Sequence, residues 1–383
     1  MQRSTDRCLT THVGSLVRPA GLRRFIDARA KGEWFDPGEY GGVLRECVAE
    51  VVRRQADAGI DVISDGELGK SAWHNYIRER VTGFEDRDAG QNPNFVVGRD
   101  LQRFSDYYGF YMPGYGFTRK RPVCVGPIGY KPEQVRRDID NFKAALAAVN
   151  VTEAFLPLVA PASFLRDASN EYYPSEEAYI FAVAEVLREE YQAVIDAGLL
   201  LQIDDAVLAT MWLLMEDEGL DRYRRWAALR LEALNHALSG IPEDRVRYHL
   251  CWGSWNGPHS NDAPLKDIVD LLLRVRAGAY SIEAANPRHQ HEWRVWEGVK
   301  LPEGRILIPG VISHASNHIE HPELIAERIG RYAGIVGREN VIAGTDCGFA
   351  QVEGVQRVFP SIMWSKLQSL AEGARIASRQ LWR

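Results

Sequence analysis

Short apolar runs alternate along this chain with longer stretches whose apolar positions recur every three to four residues. The runs are THVGS (11–15), DVISDGE (61–67), AFLPLVAPAS (154–163), LLLQIDD (199–205), RYHLCW (247–252), YSIEAAN (280–286), RILIPGV (305–311) and VIAGTDC (341–347). Each is short enough for a strand, and most close on polar residues. Between them, SEEAYIFAVAEVLREEYQAVIDAG (175–198) opens on Ser and acidic residues and closes on Gly. PELIAERIGRYAGIVG (322–337) opens on Pro and closes on Gly. Both read as capped helices. Eight strand–helix units in succession predict an α/β fold, a (β/α)8 TIM barrel formed by residues 1–383 as a single domain. A doubly wound open sheet is the second choice, but no glycine fingerprint follows the first run.

Two segments stand outside the alternation. RPVCVGPIG (121–129) is a ninth apolar run and is expected as an accessory strand outside the barrel. Residues 85–120, which follow the second strand, are rich in Gly, Asn, Asp and aromatics. An insertion there falls on the face of a barrel that carries active sites. Its aromatic cluster DYYGFYMPGYGF is costly to leave in water, which predicts a lid or pocket wall rather than a solvated loop.

Composition narrows the function. The chain is 45% hydrophobic and 26% charged with a net charge of -6, so it lacks the basic excess of a nucleic-acid binder. No window approaches the uninterrupted apolar length of a membrane span, and the N-terminus lacks the apolar core of a signal peptide. Five widely spaced cysteines do not suggest a disulfide framework. A reduced, cytoplasmic protein is expected, with thiols free for metal or catalysis. Cys8, Cys47 and Cys124 read as small core fillers.

The polar residues that close the strands carry the candidate chemistry. In YHLCWGSWNGPHS (248–260), His249 and Cys251 are two apart and would share one face of a strand. Strand six places Glu283 near its end, and strand eight runs into TDCGF with Cys347. In a closed barrel these ends surround one cavity, where a nitrogen, two sulfurs and a carboxylate suit zinc. Singly, each has a plain alternative: a His-x-Cys pair arises by chance, and a glutamate after an apolar run is commonly a strand terminus in water. His289 and His291, two apart at the opening of a predicted helix, would not share a face and read as structural.

HLC, SIEAAN and GTDCGF, in that order behind HVGS, DGE and QIDD, resemble the cobalamin-independent methionine synthase family over roughly residues 10–350, and only the catalytic barrel of that family. The resemblance implies a (β/α)8 barrel with Zn2+ held by His249, Cys251, Glu283 and Cys347. It also implies that Gly14 and Ser15 line a homocysteine pocket and that Glu67 holds the substrate amino group. Asp204 would act similarly, although the family's Asp-Glu-Pro reads DDAV here, with Asp205 and Ala206 following. The family's Ile-His-Ser-Pro segment reads SHASNH (313–318), with His314 one position off and Ala315 in the aligned place. The folate-contacting stretch is altered to SFLRDASNEYYPSEE, and the extra N-terminal barrel of the two-barrel members has no counterpart in this chain. CWGSWNGPH, NPRHQHEW and EHPE look closest to the short, single-barrel branch that includes epoxyalkane:coenzyme M transferase. There the zinc set is one His and two Cys, which His249, Cys251 and Cys347 would satisfy, leaving Glu283 spare or displaced.

The expectation is therefore a zinc-dependent transferase moving a methyl or other small alkyl group onto a low-molecular-weight thiol such as homocysteine, as in methionine biosynthesis. A free thiol has a pKa of about 8.5 and is mostly protonated at neutral pH; zinc deprotonates it. A ligand set rich in anions keeps the bound sulfur nucleophilic, and Glu283 is the ligand expected to yield to the incoming thiol. Asp204, Asp205, His314 and His318 are the candidates for a proton or electrostatic partner at the leaving atom. The partners expected are a small thiol and an alkyl donor, with no nucleic acid or membrane; a homo-oligomer is among the states the chain allows. The alternatives are epoxide opening by a zinc thiolate, a metal-independent lyase like uroporphyrinogen decarboxylase, and a non-catalytic zinc-binding barrel.

Overall fold

The computed structural model describes residues 1–88, 98–111, 120–352 and 357–382. Eight strands form one parallel sheet: β1 (Leu9–Thr10), β2 (Val62–Ile63), β3 (Glu153–Val159), β4 (Leu200–Asp205), β5 (Val246–Leu250), β6 (Ala279–Ile282), β7 (Ile306–Ile312) and β8 (Ile342–Thr345). Consecutive strands pair from β2 through β8, and β8 pairs with β1. A parallel bridge from Thr11 to Val62 closes the ring. This is the expected (β/α)8 barrel. Strands β4 to β8 are buried along their whole length, as parallel strands sheathed by helices must be.

The helices begin and end where the sequence signals them. Glu176–Asp196 is capped by the Ser175 hydroxyl, which accepts from the Ala178 N–H at 3.1 Å, and the chain turns at Gly198 with φ 83°. Pro322–Val336 starts on its proline and stops at Gly337, φ 89°. Between barrel and helices, the buried Arg80 guanidinium joins Glu190 and Asp138, each at 2.5 Å, and lies over the Tyr76 ring.

Six of the eight strands end earlier than the apolar runs. Cys251 and Glu283 fall one residue beyond β5 and β6, and Cys347 two beyond β8. THVGS is largely the loop after β1 rather than a strand. The candidate residues therefore open the loops at the C-terminal mouth, where barrel enzymes carry their chemistry.

RPVCVGPIG does supply an accessory strand. Lys120–Cys124 pairs antiparallel with Phe84–Asp88 and parallel with Ser169–Asn170, outside the barrel. Within the insertion, the helix Ser105–Tyr111 sets Tyr108 against Trp255 and Leu213, and the Trp255 indole N–H donates to the Tyr108 hydroxyl at 3.2 Å. Residues 89–97 and 112–119, which hold much of the expected lid, lie outside the described residues. Among the described residues, no helix is long and apolar enough to cross a membrane.

Candidate metal centre and substrate pocket

His249 is the last but one residue of β5, and the Cys251 N–H, just past the strand, donates to the Asp205 carbonyl at 3.0 Å. That bond keeps the chain running beside β4 for one more residue and turns the thiol into the barrel mouth. From the far side of the ring, β8 delivers Cys347. The ligand atoms of His249, Cys251 and Cys347 lie within 4.8 Å of one another, and the two sulfurs are 3.6 Å apart. A disulfide would hold them at about 2.05 Å. Two thiolates on one tetrahedral zinc, each at about 2.3 Å, stand about 3.8 Å apart. The spacing fits the second case. Among the described residues, both ring nitrogens of the buried His249 also lack a hydrogen-bond partner, which is costly unless something else takes them up.

Charge is shared unequally in this cluster. Cys251, and against burial also His249, hold Cys347 well below the ordinary thiol range. Cys251, facing that thiolate, is pushed well above it. Burial lowers His249, but the Cys347 sulfur outweighs it and the imidazole ends raised. A histidine beside two thiols, one of them held low, is a donor set suited to a divalent cation.

The surrounding backbone fixes these groups. Asp346 Oδ1 accepts from the Ala284 and Ala285 N–H groups, both at 2.7 Å, and so ties the turn bearing Cys347 to the end of β6. Gly310 leaves the room for it: a Cβ there would meet Asp346 Oδ1 at 2.2 Å. An isolated glycine inside a strand run is the sequence signal for such a close approach. Ser254, in the left-handed region at φ 54°, brings its hydroxyl to 3.2 Å from Cys251 Sγ. Gly348 has no space for a side chain because the Ser15 hydroxyl would lie 2.0 Å from its Cβ.

Glu283 is buried beside this cluster but is not one of the three groups within 4.8 Å. Its Oε1 accepts from the Trp252 N–H at 2.9 Å and its Oε2 from the Asn286 amide at 2.8 Å.

The cavity that opens onto the sulfurs is lined by the other expected carboxylates, Glu67, Asp204 and Asp205. Glu67 sits in the left-handed region at φ 57°, where a side chain costs about 1–3 kcal/mol. Asp65 Oδ1 accepts its N–H at 2.9 Å and stabilises the turn. Gly14, at φ 141°, gives the Glu67 carboxylate its place: a Cβ would lie 2.7 Å from Glu67 Oε1 and 2.8 Å from Pro157. The Gly14 N–H donates to His12 Nδ1 at 3.1 Å, so His12 Nε2 carries the proton it gives to Gln55 at 2.6 Å. Asp204 accepts from Gln202 at 2.7 Å, and burial together with the nearby Glu67 pushes it up to about 8. Val13, Trp73 and Ala206 pack against the two cysteines and form the apolar wall.

The other expected residues divide. Asp205 borders the cavity, but its Oδ1 accepts from the N–H groups of Val207 and Leu208 and from Ser163, and its Oδ2 from Tyr248. It caps the next helix and has no free oxygen to offer. His314 is buried, with neither ring nitrogen bonded among the described residues, and lines a second cavity together with Glu283 and Ser254. His318 is exposed, paired to Ser316 at 3.0 Å, and is not brought to the site. His289 is buried between Glu292 at 2.8 Å and Asp262 at 3.1 Å, and Asp262 also binds His259. This chain of contacts braces the loop after Cys251, whereas His291 is exposed. Lys70 was not foreseen. It is buried, with its ammonium 3.4 Å from Glu67 Oε2 and bonded to the Pro157 carbonyl.

The sequence model described as the cobalamin-independent synthase, catalytic domain, matches residues 8–91 and 155–364. Among curated proteins, the uncharacterized protein YxjH of Bacillus subtilis is 24% identical, with 97% of this chain and 94% of that protein aligned. The methionine synthase of Thermococcus kodakarensis is also 24% identical, over 98% of this chain and 94% of its own. Among solved structures, a B12-independent methionine synthase from Shewanella sp. W3-18-1, in complex with selenomethionine, superposes with a TM-score of 0.74 at 18% identity, covering 98% of this chain and 99% of that one. The fold is therefore shared along the full length. With the family model matching most of the chain and its cysteines meeting at the barrel mouth, the protein belongs to the cobalamin-independent synthase family, as its catalytic domain.

Proposed function

We propose that the protein is a zinc-dependent transferase that methylates a low-molecular-weight thiol such as homocysteine. The observation that carries this reading is the meeting of His249, Cys251 and Cys347, with sulfurs 3.6 Å apart, in the cavity that also presents Glu67 and Asp204. His249, Cys251 and Cys347 would hold the zinc, and Glu283, buried beside them and bonded to Trp252 and Asn286, would be the fourth donor. When bound, zinc supplies the positive charge that ionises the acceptor thiol and keeps it nucleophilic at neutral pH. The chain does the rest. Glu67 and Asp204 bind a cationic amino group, Val13, Trp73 and Ala206 exclude water from the sulfur, Gly14 makes room for the Glu67 carboxylate, and Ser15 lines the pocket. His314 is the buried group available to exchange a proton near the leaving atom. Several relatives are methionine synthases.

The site is tested by offering the zinc-loaded protein homocysteine with a panel of methyl donors and following thiol consumption. Wild type should consume thiol with at least one donor, and Cys251→Ser should lose both zinc and activity. Full zinc and full activity in Cys251→Ser would end the proposal. A second reading, alkylation of a thiol by an epoxide, draws on one observation: the three groups that cluster are one His and two Cys, without Glu283. Thiol consumption with an epoxide and not with a methyl donor would favour it.

A further inference from the structure

Lys70 does not line the cavity, yet its buried ammonium ends beside one that does. Its backbone carbonyl is clamped by Arg18 Nη2 at 2.8 Å, and its ammonium lies 4.4 Å from the centre of the Tyr76 ring. From there it meets Glu67 Oε2 at 3.4 Å and the Pro157 carbonyl. Pro157 is also the residue that, with Glu67 Oε1, fills the space over Gly14. The two carboxylate oxygens of Glu67 are thus assigned different tasks: Oε2 faces Lys70, and Oε1 lies against Gly14.

From this geometry we infer that Lys70 is a positioning residue that sets acceptor specificity, by holding one oxygen of Glu67 so that the other, with Asp204, receives the ammonium group of an amino-bearing thiol. The inference rests on the thiol-acceptor reading above and narrows it to a substrate class. A lone carboxylate on a left-handed turn could swing toward solvent. A buried cation on one side fixes it and offsets its burial. A thiol bearing a sulfonate or carboxylate in place of the ammonium would meet the Glu67 carboxylate instead.

The test compares binding of homocysteine and of 4-mercaptobutanoate, which lacks the amino group, to the zinc-loaded full chain by calorimetry. Wild type should prefer homocysteine. In Lys70→Met that preference should fall by roughly tenfold or more, while affinity for 4-mercaptobutanoate changes much less. Lys70→Arg should restore most of it. In a Glu67→Gln background Lys70→Met should have almost no additional effect, because the residue acts only through Glu67. If Lys70→Met is too unstable to purify, Lys70→Arg and the double variant still decide the point. Equal losses for both thiols, or the same loss with and without Glu67, would overturn the inference and leave the transferase reading standing. Wild type that binds neither thiol would overturn that reading and this one with it.

Discussion

The sulfurs of Cys251 and Cys347 stand 3.6 Å apart although 96 residues separate them in sequence. Closing the barrel brings them together, since β5 and β8 lie on different parts of the ring and their C-terminal ends turn inward. The site thus depends on the fold being closed as well as on the residue types, and its supports can be tested one at a time.

Asp346 is the first. It holds the Cys347 turn through two backbone bonds to Ala284 and Ala285 and a contact from Asn286. Asp346→Ala should weaken zinc binding by about 10–100-fold while leaving all three ligands in place, the usual cost of losing a group that orients ligands. Competition with a chromophoric chelator measures it. Unchanged affinity would show that Cys347 is held by other means.

Gly14→Ala separates the metal from the thiol. The new Cβ would collide with Glu67 Oε1 and Pro157 on a backbone at φ 141°. Zinc content should be unchanged, whereas homocysteine affinity should fall by about tenfold or more as Glu67 is displaced.

Much of this was legible in the sequence because strand runs and strand-end residues carry their own signals. His249, Cys251 and Cys347 were readable because thiols and an imidazole at strand ends are chemically conspicuous. Asp204 and Asp205 were not separable, since neighbours on a strand point to opposite faces and the run alone does not say which faces inward. Both border the cavity, but the oxygens of Asp205 are taken up by Ser163, Tyr248 and the N–H groups of Val207 and Leu208. Lys70 was invisible for another reason: its meaning lies in Pro157, 87 residues away. His318 was included for its residue type alone, and exposure removes it from the site.

The loop after Cys251 should loosen at alkaline pH. Burial lowers His289, but its bonds to Asp262 and Glu292 outweigh this and raise it to about 10. Against an unfolded value of about 6.5, the stabilisation it brings is complete below that pH and is lost as pH rises toward 10. The stability difference between wild type and His289→Gln, from urea unfolding, should therefore shrink from pH 6.5 to 10. A constant difference would mean that the imidazole is neutral throughout.

Away from the site, Arg80→Met should destabilise the protein by about 3–5 kcal/mol, because it strands Glu190 and Asp138 in the interior without their cation. Adding Glu190→Leu and Asp138→Leu should recover part of that loss. Urea unfolding at pH 7 reads both.

X-ray absorption at the zinc edge tests the central claim most directly. The account predicts one zinc per chain with two sulfur neighbours at about 2.3 Å and a nitrogen at about 2.0–2.1 Å, and a further sulfur when homocysteine is added. A zinc shell without sulfur, or one that Cys251→Ser leaves unchanged, would contradict it.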